Sequence, residues 1–84
     1  MKDQEQFIQK LIANYNQKIS DCEKEIEKYT RIKNGIKEKH LGCPSKYEAD
    51  FDYQDMKKDI AICNGQIIAY TQAKADIDSI LNFA

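Results

Sequence analysis

The chain has 84 residues, a formal net charge of -1 and 32% charged residues, with only three glycines and one proline. A chain of this length forms one small domain that buries only about 60 to 65% of its extended surface on folding. Of the basic residues only Arg31 is an arginine, and the near-zero net charge argues against a nucleic-acid partner. The abundance of Lys, Glu, Ile, Gln, Asp and Asn predicts long helices rather than a sandwich or barrel.

An apolar seam runs through the first half of the chain. Its members are separated by three and four residues in turn, which is the spacing of a coiled-coil a/d seam, and one lysine interrupts it. The pattern predicts a helix from about residue 3 to 41. The seam residues are Ile12, Tyr15, Ile19, Cys22, Ile26, Tyr29, Lys33 and Ile36.

The segment HLGCPSKYE, residues 40–48, carries the signals of a break between two helices. Gly42 suits the left-handed position after a helix, and Pro44 cannot continue one. Ser45 and Glu48 match an S-x-x-E capping box, so the turn is predicted at 42–45 and a second helix from about 46 to 82. The seam of that helix is Tyr53, Met56, Ile60, Cys63, Ile67, Tyr70, Lys74, Ile77, Leu81 and Ala84.

Two long helices joined by a short link predict an all-α fold, a single antiparallel helical hairpin over residues 1–84 that resembles a coiled coil. Each arm has a predicted length of about 55 Å at 1.5 Å per residue. CEKEIEKYT at 22–30 and CNGQIIAYT at 63–71 share Cys, Ile, Tyr and Thr at the same spacing. Duplication of one helix and heptad selection on two packed helices both explain this repeat, and both predict the same hairpin.

The two helices differ on the side away from the seam. The second helix has a second apolar face, whereas the matching positions of the first helix are polar. This face predicts self-association into a four-helix or larger bundle, or the docking of a different protein. The predicted interface residues are Ala61, Ile62, Gly65, Ile68, Ala69 and Ala75; the matching positions of the first helix are Ser20, Asp21, Glu27, Lys28 and Asn34.

Aromatic and acidic residues alternate near the predicted turn. Acids favour the first turn of a helix, and aromatic side chains beside them also form a docking surface for another protein. The predicted partner-binding tip is Tyr47, Phe51, Asp52, Tyr53 and Asp55.

Tyrosines and lysines on an otherwise apolar seam predict a third kind of site, a pocket between subunits for a small anionic ligand such as a nucleotide. The alternative is that these side chains extend along the seam with their polar ends in water. The predicted pocket residues are Tyr15, Tyr29, Lys33, Tyr70 and Lys74.

No metal, cofactor or catalytic residue is expected. His40 and Cys43 flank the turn, but Cys22 and Cys63 lie about 30 Å along the helices, so four zinc ligands do not meet within one chain. Cys22 and Cys63 are expected in one layer of the core, as small apolar side chains or as a redox-sensitive pair. A nucleophile with its base and a glycine-rich phosphate loop are both missing, so the chain is not expected to be an enzyme.

These features predict a non-enzymatic interaction or inhibitor protein that binds and occludes a partner. A ligand-sequestering oligomer and a structural or assembly subunit are the alternatives. The start MKDQEQF is not a signal peptide and the apolar runs are short, so a cytoplasmic protein without a membrane partner is expected. The small size and the composition resemble those of short phage and mobile-element proteins that inhibit host factors; the resemblance includes no motif.

Overall fold

The computed structural model describes residues 2–83 and has three helices, α1 (Lys2–Lys39), α2 (Pro44–Tyr47) and α3 (Phe51–Phe83). The two long helices pack against each other in opposite directions, and the described residues contain no strand. The predicted all-α antiparallel hairpin is therefore confirmed.

The molecule is a rod with principal dimensions of 60 × 17 × 15 Å. Its radius of gyration is 18.5 Å, whereas a compact domain of this length would have about 12 Å. The rod shape follows from the two long seams, because each seam lies along one side of its helix and the helices pack along their whole length.

The core of the hairpin lies along the two predicted seams. Every seam position from Ile12 to Ile36 and from Tyr53 to Ile77 is buried or half-buried. Leu81 is 37% exposed, and the last predicted seam residue, Ala84, lies outside the described residues. Among the described residues the buried apolar side chains are few, and they are Cys22, Tyr53 and Cys63.

The connection between the long helices differs from the prediction. The second long helix begins at Phe51 rather than near residue 46, because Asp50 is its N-cap and accepts the Asp52 backbone N–H at 2.9 Å. Residues 44–47 form the separate short helix α2. Its N-cap is Cys43, without a side-chain cap bond, so Ser45 and Glu48 do not form the predicted capping box.

The end of α1 also differs from the prediction. The Leu41 N–H donates to the Glu38 carbonyl at 3.0 Å and the Gly42 N–H donates to the Lys37 carbonyl at 2.8 Å, which is the pattern of a Schellman motif. The first left-handed residue is therefore Leu41, with φ 54°, and Gly42 follows with φ 70°. Gly42 was predicted at that first position, and the motif places it one residue later.

Leu41 carries backbone strain without contributing to the core. Its side chain is 92% exposed, and a left-handed conformation costs a residue with a Cβ about 1 to 2 kcal/mol. We expect Leu41→Gly to raise the free energy of unfolding by about 1 kcal/mol in urea titrations, because the lost strain outweighs the greater entropy of glycine in the unfolded chain.

Leu41→Ala is the matched control, since alanine keeps the Cβ and removes only the exposed part of the side chain. Its stability should stay within about 0.5 kcal/mol of the native chain. A glycine variant less stable than the alanine variant would contradict a strained Leu41.

Candidate functional site

The side of α3 that faces away from α1 is uncovered and mostly apolar, with Gln72 as an exposed polar member. Ile62 is 51% exposed, Ile68 69% and Ile80 65%. A Cβ added at Gly65 would meet no atom within 4 Å, so no other part of the described chain covers this position. We call this surface the outer face of α3, and it comprises Ala61, Ile62, Gly65, Ile68, Ala69, Ala75 and Ile80, all exposed.

The corresponding side of α1 is polar. Asp21, Glu27, Lys28 and Asn34 are exposed, and Asp21 accepts a hydrogen bond of 2.9 Å from the Gln17 side chain one turn away. The outward side of α1 is thus an ordinary solvated surface, while the outward side of α3 exposes isoleucines. Ile80 is not among the predicted interface residues; it follows Ile62 by eighteen residues, which is five helical turns, and this spacing could have identified it.

Charged residues bound the central segment of the outer face, from Ala61 to Ala75, along the helix axis. Lys58 is exposed before the apolar segment and Asp76 is exposed after it. The Asp76 carboxylate accepts a hydrogen bond of 3.0 Å from the Gln72 amide on the same helix. Between residues 59 and 76, the outward positions of α3 carry no charge, because Asp59 and Lys74 are half-buried on the side of the seam.

The predicted tip residues fall into two environments. Tyr53 is only 5% exposed, and its ring centroid lies 4.9 Å from that of the half-buried Tyr47. The Lys37 ammonium lies 5.4 Å from the Tyr47 ring centroid and 5.9 Å from that of Tyr53. These two tyrosines therefore hold α2 and the start of α3 against α1, while Phe51, Asp52 and Asp55 remain exposed.

Leu41, which is not among the predicted tip residues, lies at the same end of the rod. Leu41 is 92% exposed and Phe51 is 86% exposed. Each directly follows a member of the linked pair His40 and Asp50, so both apolar side chains belong to one end of the molecule. The sequence signal was available, because Leu41 lies off the seam that ends at Ile36.

His40 and Asp50 link the ends of the two long helices. The His40 Nε2 atom lies 2.9 Å from the Asp50 Oδ2 atom. The hydrogen bond from His40 lowers the pKa of the Asp50 carboxyl below its usual value. Asp50 also caps α3 through its other carboxylate oxygen. A single carboxylate therefore caps the N-terminus of α3 and links it to the C-terminal end of α1.

The five predicted pocket residues do not meet within one chain. The rings of Tyr15 and Tyr70 lie 5.8 Å apart. Contacts of Cys22 with Gln66 and of Glu25 with Cys63 define the helix register, which separates Tyr29 from Tyr70 by about 16 Å along the axis. Lys33 lies one turn from Tyr29, and Lys74 lies one turn from Tyr70.

Two carboxylates lie near the Tyr29 hydroxyl, and the Lys28 ammonium lies 5.8 Å from the Tyr29 ring centroid. The Glu25 carboxylate, burial and the Asp59 carboxylate together raise the pKa of the Tyr29 hydroxyl. Two carboxylates at this position oppose an anionic ligand, since like charges repel. The half-buried Lys33 and Lys74 remain the cationic groups of the predicted pocket.

The cysteines are all free thiols. Cys22 and Cys63 are buried, with their Sγ atoms 3.4 Å from the Gln66 side-chain oxygen and 3.7 Å from a Glu25 carboxylate oxygen. Burial raises the pKa of the Cys63 thiol, which disfavours the reactive thiolate. Cys43 lies 3.2 Å from the Ser45 hydroxyl, and that hydrogen bond lowers the pKa of the Cys43 thiol.

Within residues 2–83, no three His, Cys, Asp or Glu side chains come together in a way that could hold a metal ion. In the same part of the chain, no helix has an apolar stretch long enough to cross a bilayer.

Comparison with known proteins adds no relative. No protein-family model matches the chain, and no curated protein or solved structure matches it. The function is therefore inferred from the surfaces of the hairpin itself.

Proposed function

We propose that this chain is a non-enzymatic interaction protein that associates with itself through the outer face of α3 and binds and occludes a partner protein through its tip. The observation that carries the proposal is the row of exposed isoleucines on α3, with Ile62 51%, Ile68 69% and Ile80 65% exposed. An exposed apolar patch on a small domain is typical of a protein-binding surface.

The small core of the hairpin supports association. The described structure has an accessible surface of 6476 Å², whereas a compact monomer of 9.8 kDa would expose about 5,200 Å². A short chain in which few of the described side chains are buried gains stability when a partner covers more of its apolar surface. Association through α3 would supply that burial and leave the polar back of α1 in water.

The tip supports the contact with a partner. Phe51 and Leu41 are almost fully exposed, and Leu41 keeps a strained left-handed backbone conformation. Strained residues are concentrated at functional sites. In this proposal Phe51 and Leu41 enter an apolar recess of the partner, while Asp52 and Asp55 contact its polar rim.

Two features set the context of the proposal. The three free thiols support action in a reducing compartment such as the cytoplasm, and the size and composition resemble those of short phage proteins that inhibit host factors.

We prefer occlusion to the sequestration of an anion because Glu25 and Asp59 give Tyr29 a negative environment.

Solution mass tests the proposal. Light scattering across a wide concentration range should give a multimer for the native chain, and Ile68→Glu should raise its dissociation constant by roughly a hundredfold, because association would bury an unpaired charge.

Asn34→Glu is the matched control, since it adds the same charge on the exposed back of α1. This control should keep the native mass at every concentration. A native chain that stays monomeric throughout, or one whose mass Ile68→Glu leaves unchanged, would contradict self-association through this face.

A further inference from the structure

We propose that the outer face of α3 binds a second copy of this chain in an antiparallel arrangement, with Lys58 of each copy facing Asp76 of the other. This inference deepens the proposed function and rests on self-association through α3. It assigns the occupant of the face, the direction of the second helix and the register between the two helices.

The charges at the two ends of the face lie on one line along the helix. Residues seven and eleven positions apart return to within about 20° of the same direction. Lys58 precedes Gly65 by seven residues, and Asp76 follows it by eleven. A single stripe of α3 therefore begins with a positive charge, continues through uncharged positions and ends with a negative charge, over about 27 Å.

A twofold axis at the middle of this stripe makes the face complementary to itself. Residue 67 is the midpoint between Lys58 and Asp76, so an antiparallel copy centred there brings each lysine opposite an aspartate. The same symmetry places Gly65 opposite Ala69. Small residues at the centre allow two helices to approach closely, and Ile62 and Ile68 flank that contact on opposite sides.

A parallel pair would have the opposite electrostatics. In that arrangement Lys58 would face Lys58 and Asp76 would face Asp76, and like charges across an interface are unfavourable. The back of α1, with Asp21, Glu27 and Lys28 exposed, is polar and matches the apolar face of α3 less well than a second α3 does. The self-complementary arrangement is thus an isologous contact of α3 with α3, as expected for a twofold dimer.

The arrangement also positions the tips. The two α3 helices lie in the middle of a four-helix bundle and the two α1 helices lie outside, with their polar backs in water. Phe51 lies sixteen residues from the twofold axis, so the two tips stand at opposite ends of the bundle, on the order of 50 Å apart. The dimer would then present Leu41 and Phe51 to two partner molecules at once.

Charge reversal tests the register. In dissociation measurements at low ionic strength, we expect Lys58→Glu and Asp76→Lys each to weaken self-association roughly tenfold, because each variant replaces two attractive pairs with two repulsive ones. The double variant should return to within about threefold of the native dissociation constant. An equimolar mixture of the two single variants should associate more tightly than either alone, because both pairs are matched in the heterodimer.

Lys24→Glu, at an exposed position of α1, is the control for net charge and should leave the dissociation constant unchanged. Circular dichroism of each variant should show native helix content. Single variants as tight as the native chain, or a double variant as weak as the single ones, would overturn the antiparallel register. A native chain that is monomeric at every concentration would instead overturn the proposed self-association, so the two failures are distinguishable.

Discussion

Tyr53→Ala is expected to lower the free energy of unfolding by about 3 to 5 kcal/mol, the cost of deleting a buried aromatic ring. Tyr53 is 5% exposed, and its ring packs against that of Tyr47 at 4.9 Å. The ammonium groups of Lys37 and Lys57 each lie 5.9 Å from its ring centroid. Its loss leaves a cavity and also removes the ring contact that packs α3 against α2.

Urea titrations followed by far-UV circular dichroism measure this effect. They need one fixed protein concentration, because self-association raises the apparent stability. Tyr53→Phe keeps the ring and should cost less than about 1 kcal/mol, whereas Phe51→Ala removes an 86% exposed ring and should stay within about 0.5 kcal/mol. Equal losses for Tyr53→Ala and Phe51→Ala would contradict the packing of the tip.

Tyr53 is buried and Phe51 is exposed, so only Phe51 is a suitable target for a test of partner binding. A variant that removes Tyr53 would lose binding because it unfolds, and it would not show whether Tyr53 contacts the partner. Phe51→Ala combined with Leu41→Ala removes two exposed side chains and preserves the fold. This double variant is the suitable probe of the tip.

Ile67→Glu is expected to lower the free energy of unfolding by about 3 kcal/mol, because it removes a seam side chain and places a charge between the helices. Ile67 is half-buried and lies on the seam of α3. A chain of this length has a total stability of roughly 4 to 13 kcal/mol, so the loss is a large part of it. Urea titration under monomeric conditions is the appropriate measurement.

Ile68→Glu is the control, since it makes the same change one residue later. Ile68 is 69% exposed, and under monomeric conditions this variant should keep its stability within about 0.5 kcal/mol. Comparing Ile67→Glu with Ile68→Glu therefore distinguishes a residue of the seam from a residue of the outer face. Equal destabilisation of the two monomers would show that both isoleucines belong to one core.

The parts of the fold that repeat along the helix could be predicted residue by residue. The spacing of Ile19, Cys22 and Ile26 identified the packed side of α1, and that of Ile60, Cys63 and Ile67 identified the packed side of α3. Such a prediction succeeds because the helix period is constant. The exposure of Ile62 and Ile68 was predictable for the same reason, since they lie out of phase with the seam.

The parts that depend on contacts around the turn could not be predicted in this way. Tyr47, Phe51 and Tyr53 had the same local signal, yet the packing buries Tyr53 and exposes Phe51. Ser45 and Glu48 match a capping box in sequence, yet Asp50 is the residue that caps α3. Unlike those two residues, Asp50 also contacts the His40 side chain, at 2.9 Å. The left-handed conformation falls on Leu41 as well as on Gly42 because α1 ends at Lys39.

Local spacing alone therefore predicts the two long helices, their packed sides and the apolar outer face of α3, all of which follow from the 3.6-residue period of one helix. The tertiary structure decided where α3 begins, which tip residues are free and which helix layers face each other. These features depend on side chains that are distant in the chain, such as His40 with Asp50 and Cys22 with Gln66. Such contacts depend on how the two helices slide past each other, and local spacing contains little information about that sliding.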